Sequence, residues 1–179
     1  MVLILITGTQ KLLLLDICRR MTISCTFVNQ MTPLNLPVCD FKVKKSEGKV
    51  WIFDGVRKKF IVLTPEEWVR QHFVHYLIRE HGYPKSLFRI EGSLTYNTLQ
   101  KRSDILVYDR AGKPWMLIEC KSSDVKLSQK AFNQVAIYNM TVGAKYLAVT
   151  NGMIHYCCLA PRTGQEGIFL EDFPEFEGS

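Results

Sequence analysis

The stretch RSDILVYDRAGKPWMLIECKSS, from Arg102 to Ser123, constrains the fold more than any other part of the chain. Two apolar runs flank Ala111-Gly112-Lys113-Pro114, a strong turn signal, so the stretch predicts two strands of a hairpin. Successive strand side chains point to opposite faces, which puts Trp115, Leu117, Glu119 and Lys121 on one face and Met116, Ile118 and Cys120 on the other. Asp104 heads the first strand and Glu119 closes the second, so pairing brings the two acids side by side. Charge at the end of so apolar a strand is costly to bury unless something pairs it.

Two converging carboxylates can hold a hard divalent ion such as Mg2+ or Mn2+ through oxygen, and the Cys120 carbonyl could add a further ligand. Such an ion polarises a phosphoryl oxygen and lowers the pKa of bound water. Lys121, on the face of Glu119, could orient that water or offset charge in the transition state. A Glu-x-Lys triplet taken alone is equally a salt-bridged strand pair. The rival reading is therefore a buried ion network, although such networks are weak sources of stability.

Around this hairpin the chain alternates strands and helices. VWIF and KFIVL flank Asp54-Gly55 and predict an N-terminal hairpin, ringed by Lys42, Lys44, Lys45, Lys49, Arg57, Lys58 and Lys59. Those cations suit either phosphate contact or the guarding of a sheet edge. Thr64-Pro65-Glu66-Glu67 opens a helix to about Gly82, with Thr64 as N-cap, Pro65 in the first turn and Glu67 completing a capping box. On its apolar stripe of Val69, Phe73, Tyr76 and Leu77, Glu66 falls near the middle and Glu67 at the edge. Strands follow near 87–96, 102–108 and 114–121, then a helix over 126–142, a strand over 145–150, a turn at Asn151-Gly152 and a return strand over 153–159.

Residues 1–30 read as an extension or mis-assigned start outside the core, and 31–179 as one domain. Apolar runs at 2–6 and 12–15 are too short to span a membrane, and no signal-peptide pattern is present. Six cysteines without a CxxC pair or a His at zinc-ligand spacing predict neither zinc nor disulfides and fit a reducing, cytoplasmic setting. Net charge is +6, and Glu166, Glu171, Asp172, Glu175 and Glu177 crowd a tail (163–179) with no base after Arg162. The remaining body is strongly basic, which suits a polyanion such as nucleic acid as well as a merely Lys-rich surface.

The order of a helix with Glu, a strand with Asp, Glu-x-Lys and a second helix resembles the PD-(D/E)XK, or restriction-endonuclease-like, nuclease superfamily. Over PEEWVRQHFVHYLI, KRSDILVYD, MLIECKSS and QVAIYNM it is more closely similar to the N-terminal nuclease domain of type I restriction enzyme R subunits. The resemblance implies an α/β fold with a mixed central sheet flanked by helices, and magnesium-dependent hydrolysis of DNA. It implies Asp104 and Glu119 as metal ligands, Lys121 as catalytic, and Glu67 as the helix carboxylate with Glu66 the runner-up. Gln134 and Tyr138 resemble the Q-x-x-x-Y motif that lies near the substrate in such nucleases.

Two departures matter. Ser103-Asp104 stands where the superfamily name has Pro-Asp, and Gly8-Thr9-Gln10-Lys11 is too short for a phosphate-binding loop, so no nucleotide and no motor are expected. The expectation is a stand-alone DNA nuclease domain, with other subunits as possible suppliers of a motor or specificity. The alternative is a nucleic-acid-binding module without catalysis. Rival roles stay open residue by residue. Glu67 could only cap its helix, Gln134 and Tyr138 could pair at the core edge, and Arg70 and Arg102 could meet phosphate or acids. Glu91 reads as structural, and His72, His75, His81 and His155 show no catalytic spacing.

Overall fold

Pro65 to Glu80 forms the helix α1, started as its sequence predicts: the Glu67 N–H donates to Thr64 Oγ1 at 3.1 Å. The computed structural model describes residues 32–96, 99–161 and 167–176, with backbone alone over 91–103. The expected extension 1–30, the side chains of Glu91 and Arg102, and parts of the acidic tail lie outside those residues.

Ahead of α1 come β1 (Val43–Ser46), β2 (Lys49–Asp54) and β3 (Lys59–Val62), an antiparallel three-stranded sheet in that order. The Asp54-Gly55 hairpin is therefore the second half of a meander. Its first turn escaped the sequence reading; there Glu47 and Gly48 both take positive φ (53° and 71°), as a two-residue hairpin turn requires. A small core of Cys39, Phe41, Val50, Ile52 and Leu63 fills the space beneath this sheet.

After α1 follow β4 (Phe88–Tyr96), β5 (Leu99–Tyr108), β6 (Pro114–Cys120), α2 (Gln129–Val142), β7 (Tyr146–Thr150), β8 (His155–Leu159) and β9 (Ile168–Phe169). The six strands line up in sequence order, and α2 makes the crossover that lets β6 and β7 run parallel while the other pairs are antiparallel. The expected mixed sheet flanked by helices is thus present, with one helix on each face among the described residues. Val69, Phe73, Val74 and Leu77 of α1 pack on Ile105, Met116, Ile118 and Cys120. Val135 and Tyr138 of α2 pack on Leu106, Leu117, Leu147 and Val149 on the other face. Each fully buried Leu or Phe here stabilises the fold by about 1.5–3 kcal/mol.

The structure corrects three local expectations. Trp115 does not share the face of Leu117, because Val107 pairs with Met116 and Tyr108 with Pro114, leaving Trp115 as the extra residue of a bulge. It turns into the α1 side, where its indole N–H donates to Tyr83 Oη at 3.2 Å. Asn151-Gly152 belongs to a longer loop rather than a two-residue turn, and Asn151 Oδ1 accepts the N–H groups of Met153 and Ile154. On α1, Glu66 and Glu67 exchange the places that the apolar stripe predicts, since Glu67 is buried and the Glu66 side chain is 43% exposed. Part of the acidic tail is also packed: β9 joins the sheet, and Phe173 and Phe176 settle on the α1-side core.

Candidate functional site

Asp104 and Glu119 lie on neighbouring strands one residue past the last β5–β6 pair, Ile105 and Ile118. Asp104 does not head its strand as expected, because β5 begins at Leu99 and stays paired with β4 beyond it. Asp104 Oδ2 accepts the Cys120 N–H at 2.6 Å, and Oδ1 accepts from Arg70 Nη2 at 2.9 Å. Glu119 Oε1 accepts from Lys121 Nζ at 2.5 Å. The structure therefore brings Asp104, Glu119 and Lys121 to one end of the sheet. Burial and the nearby Asp104 carboxylate push the Glu119 pKa up, against the pull of Lys121. Burial acts to lower the Lys121 pKa, but its hydrogen bond and charge attraction to Glu119 prevail and raise it. Glu66 reaches this end of the sheet through Arg70, whose Nη2 donates both to Glu66 Oε1 at 3.0 Å and to Asp104 Oδ1.

Glu67 faces elsewhere. Its Oε1 accepts from Arg57 Nη2 at 2.9 Å and from Gln71 Nε2 at 2.8 Å, while Oε2 pairs with Arg70 Nη1. The expected capping box is consequently half formed, because the Glu67 carboxylate is held by these donors instead of reaching back to Thr64. Arg57 and Gln71 also bind Asp54, whose Oδ1 accepts the N–H groups of Val56 and Arg57. Burial alone would raise the Asp54 pKa, but these donors outweigh it and lower it. Arg70 closes the chain of contacts by joining Glu67 to Glu66 at 3.0 Å and to Asp104. Of the two readings of Arg70, the one present here is pairing with acids.

The sequence marked Asp54 only as a turn residue and Arg57 only as one of the cations round the hairpin, and did not single out Gln71, which meets them only when α1 docks. Arg70 and Gln71, polar neighbours in the middle of the helix, were the available signal that α1 meets polar partners. Gln134 is exposed on α2, and Tyr138 is buried against the sheet with a hydroxyl that has no partner among the described residues. The two are not hydrogen-bonded to each other, nor to Asp104, Glu119 or Lys121.

The donor set suits a hard cation that keeps most of its own water. Among the described residues, no three Asp, Glu, His or Cys side chains converge as a complete metal cage. Mg2+ is commonly held by one or two carboxylates plus phosphate oxygens and water, which is what Asp104 and Glu119 could supply. A cation there would also relieve the repulsion that raises the Glu119 pKa. Cys120 is fully buried and its thiol pKa is raised well above normal, chiefly by burial, so it is a poor thiolate donor. The four described cysteines are free, and among the described residues no helix is long and apolar enough to cross a membrane.

Residues 65–174 match the family model described as the type I restriction enzyme R protein N terminus (HSDR_N). None of the curated proteins searched matches the chain. A solved structure, described as a fragment of an HsdR subunit of a type I restriction enzyme from Vibrio vulnificus YJ016, aligns with a TM-score of 0.51 at 22% identity. The alignment covers 65% of this chain and 24% of that one, so it speaks for a shared fold over a minor part of the larger protein.

Proposed function

The chain belongs to the family of the type I restriction enzyme R protein N terminus, and on that footing we propose that it hydrolyses phosphodiester bonds in DNA with a divalent metal. The observation that carries the proposal is the meeting of Asp104, Glu119 and Lys121 at one end of the sheet, with partial exposure of 16%, 15% and 27%. A Mg2+ ion held there would supply Lewis acidity toward a phosphoryl oxygen.

In this reading Asp104 is kept in place by two fixed donors, Arg70 and the Cys120 N–H, which leave lone pairs on both oxygens. Glu119 provides the second carboxylate, and Lys121 holds a water in line with the phosphorus and offsets developing negative charge. Glu66 is the helix carboxylate that faces this end, so we assign it, rather than Glu67, to water or a second cation. Glu67 positions Arg70, and through it Asp104. In this reading Gln134, exposed on α2, steadies substrate, and Tyr138 supports that helix. A reducing, cytoplasmic setting and DNA-translocating or specificity-giving partner subunits accompany the family reading as proposals.

A second reading, nucleic-acid binding without cleavage, is favoured by one observation: Asp104 and Glu119 already have cationic partners within the chain. Incubating plasmid DNA with the full chain and Mg2+, Mn2+ or EDTA separates the two. Metal-dependent nicking that falls about 100-fold or more in Lys121→Ala, with unchanged circular dichroism, supports hydrolysis. DNA binding with no nicking in any metal supports the binding module.

A further inference from the structure

A cavity of about 280 Å3 lies on the α2 face of the sheet, lined by Leu127, Gln129, Phe132, Val149, Tyr156 and Phe169. Its position follows from strand register. Glu119 is level with Val149 on β7, and Val149 is level with Tyr156 on β8. Residues level on adjacent strands project from the same face, so Glu119, Val149 and Tyr156 form one row. Two strand spacings separate the backbones of Glu119 and Tyr156, about 10 Å. Phe169 is level with Cys158, two residues beyond Tyr156, and so faces the same way.

The rings in this cavity are poorly covered. Tyr156 is 46% exposed and Phe169 58% exposed. Phe132 and Phe169 have centroids 5.1 Å apart with planes tilted by 44°, and Tyr156 meets Phe169 edge-on at 6.4 Å. The rings are thus angled to each other and leave faces open instead of closing on themselves. Lys126 and Lys130, both exposed, flank the Leu127–Gln129 wall and bring positive charge to its rim.

We propose that this cavity stacks an unpaired nucleobase of the strand whose phosphate lies at Asp104 and Glu119, an inference that rests on reading that end of the sheet as the phosphate site. Every base offers a π-face, so aromatic walls accept any of them. The lysines meet flanking phosphates, which position the strand without reading its sequence. Continuity with the carboxylate row and the positive rim argue for a nucleic-acid strand over an apolar peptide. A base still inside a duplex cannot enter, so the occupant is single-stranded or flipped out.

The test is equilibrium binding of the full chain, in EDTA, to a single-stranded deoxyoligonucleotide carrying one fluorescent 2-aminopurine, alongside plasmid cleavage in Mg2+. Binding is expected to quench the probe. Tyr156→Ala and Phe169→Ala should each weaken binding roughly 5- to 100-fold and remove the quench, while Tyr156→Phe keeps both. Unaltered affinity and quench in both alanine variants, or a lowered melting temperature with binding intact, overturns the proposal. Plasmid cleavage without single-strand binding sinks the stacking site alone. Binding with quench but no cleavage leaves stacking standing and removes hydrolysis, and loss of both removes both.

Discussion

Glu67 and Glu119 are both carboxylates set against the same sheet, yet their surroundings are of opposite kinds. Glu67 is 5% exposed and takes hydrogen bonds from Arg57, Arg70 and Gln71. Glu119 is 15% exposed, is bonded to the more exposed Lys121, and has a pKa raised by burial and by Asp104. The first group has its charge matched within the fold. The second carries charge that the fold only partly offsets, close to solvent. A carboxylate of the first kind is architecture, and one of the second kind is available for a cation or a reacting molecule. Arg70 links the two regions, since one guanidinium reaches Glu67, Glu66 and Asp104.

The comparison breaks most visibly at Arg70. Arg70→Met removes the guanidinium shared by Glu66, Glu67 and Asp104 and should cost about 3–5 kcal/mol of stability, read from urea unfolding. A loss below 1 kcal/mol means the network is not what holds α1 to the sheet. Next in size is a pH effect beside the same network. His72 is buried against Trp68 and Phe41, and burial lowers its pKa to about 4. The unfolded chain therefore binds a proton that the fold refuses between about pH 6.5 and 4. Stability should fall as pH drops through that window, by roughly a few kcal/mol in all, and His72→Phe should flatten that part of the profile.

The two neighbouring glutamates sharpen the contrast further. Glu67→Gln is expected to lower stability by about 1–3 kcal/mol, because it removes charge from two arginine contacts. Glu66→Gln should change stability by less than about 0.5 kcal/mol, as exposed substitutions do, yet reduce any metal-dependent cleavage. The reverse pattern in melting and cleavage assays would return the helix role to Glu67. Thr64→Ala, which removes the N-cap oxygen, should cost about 1 kcal/mol in the same unfolding assay.

Much of this was legible in the sequence because it is local. Thr64-Pro65 announces the start of α1, Gly112 the β5–β6 turn, and the alternating strand pattern places Asp104 beside Glu119. What was not legible depends on contacts between distant segments. The stripe on α1 misplaced Glu66 and Glu67 because the helix is buried on two sides, by the sheet and by Phe41, Asp54 and Arg57 from the N-terminal unit. Trp115 changed face because of one bulge, whose position depends on pairing with Val107 and Tyr108. Phe173 and Phe176 were hidden in an acidic tail, where charge density masked two rings that belong to the core. The placement of Gln134 and Tyr138 was legible as far as the helix but not as far as exposure, since which side of α2 meets the sheet is set by the crossover from β6 to β7.

The central claim is that Asp104 and Glu119 together hold a divalent cation at the open end of the sheet. Calorimetric titration of the full chain with Mg2+ addresses it directly, compared with Asp104→Asn and Glu119→Gln after circular dichroism shows each variant folded. The account predicts a binding isotherm for the unaltered chain that either substitution removes. Binding that survives both substitutions, or no heat in the unaltered chain with or without DNA, contradicts it.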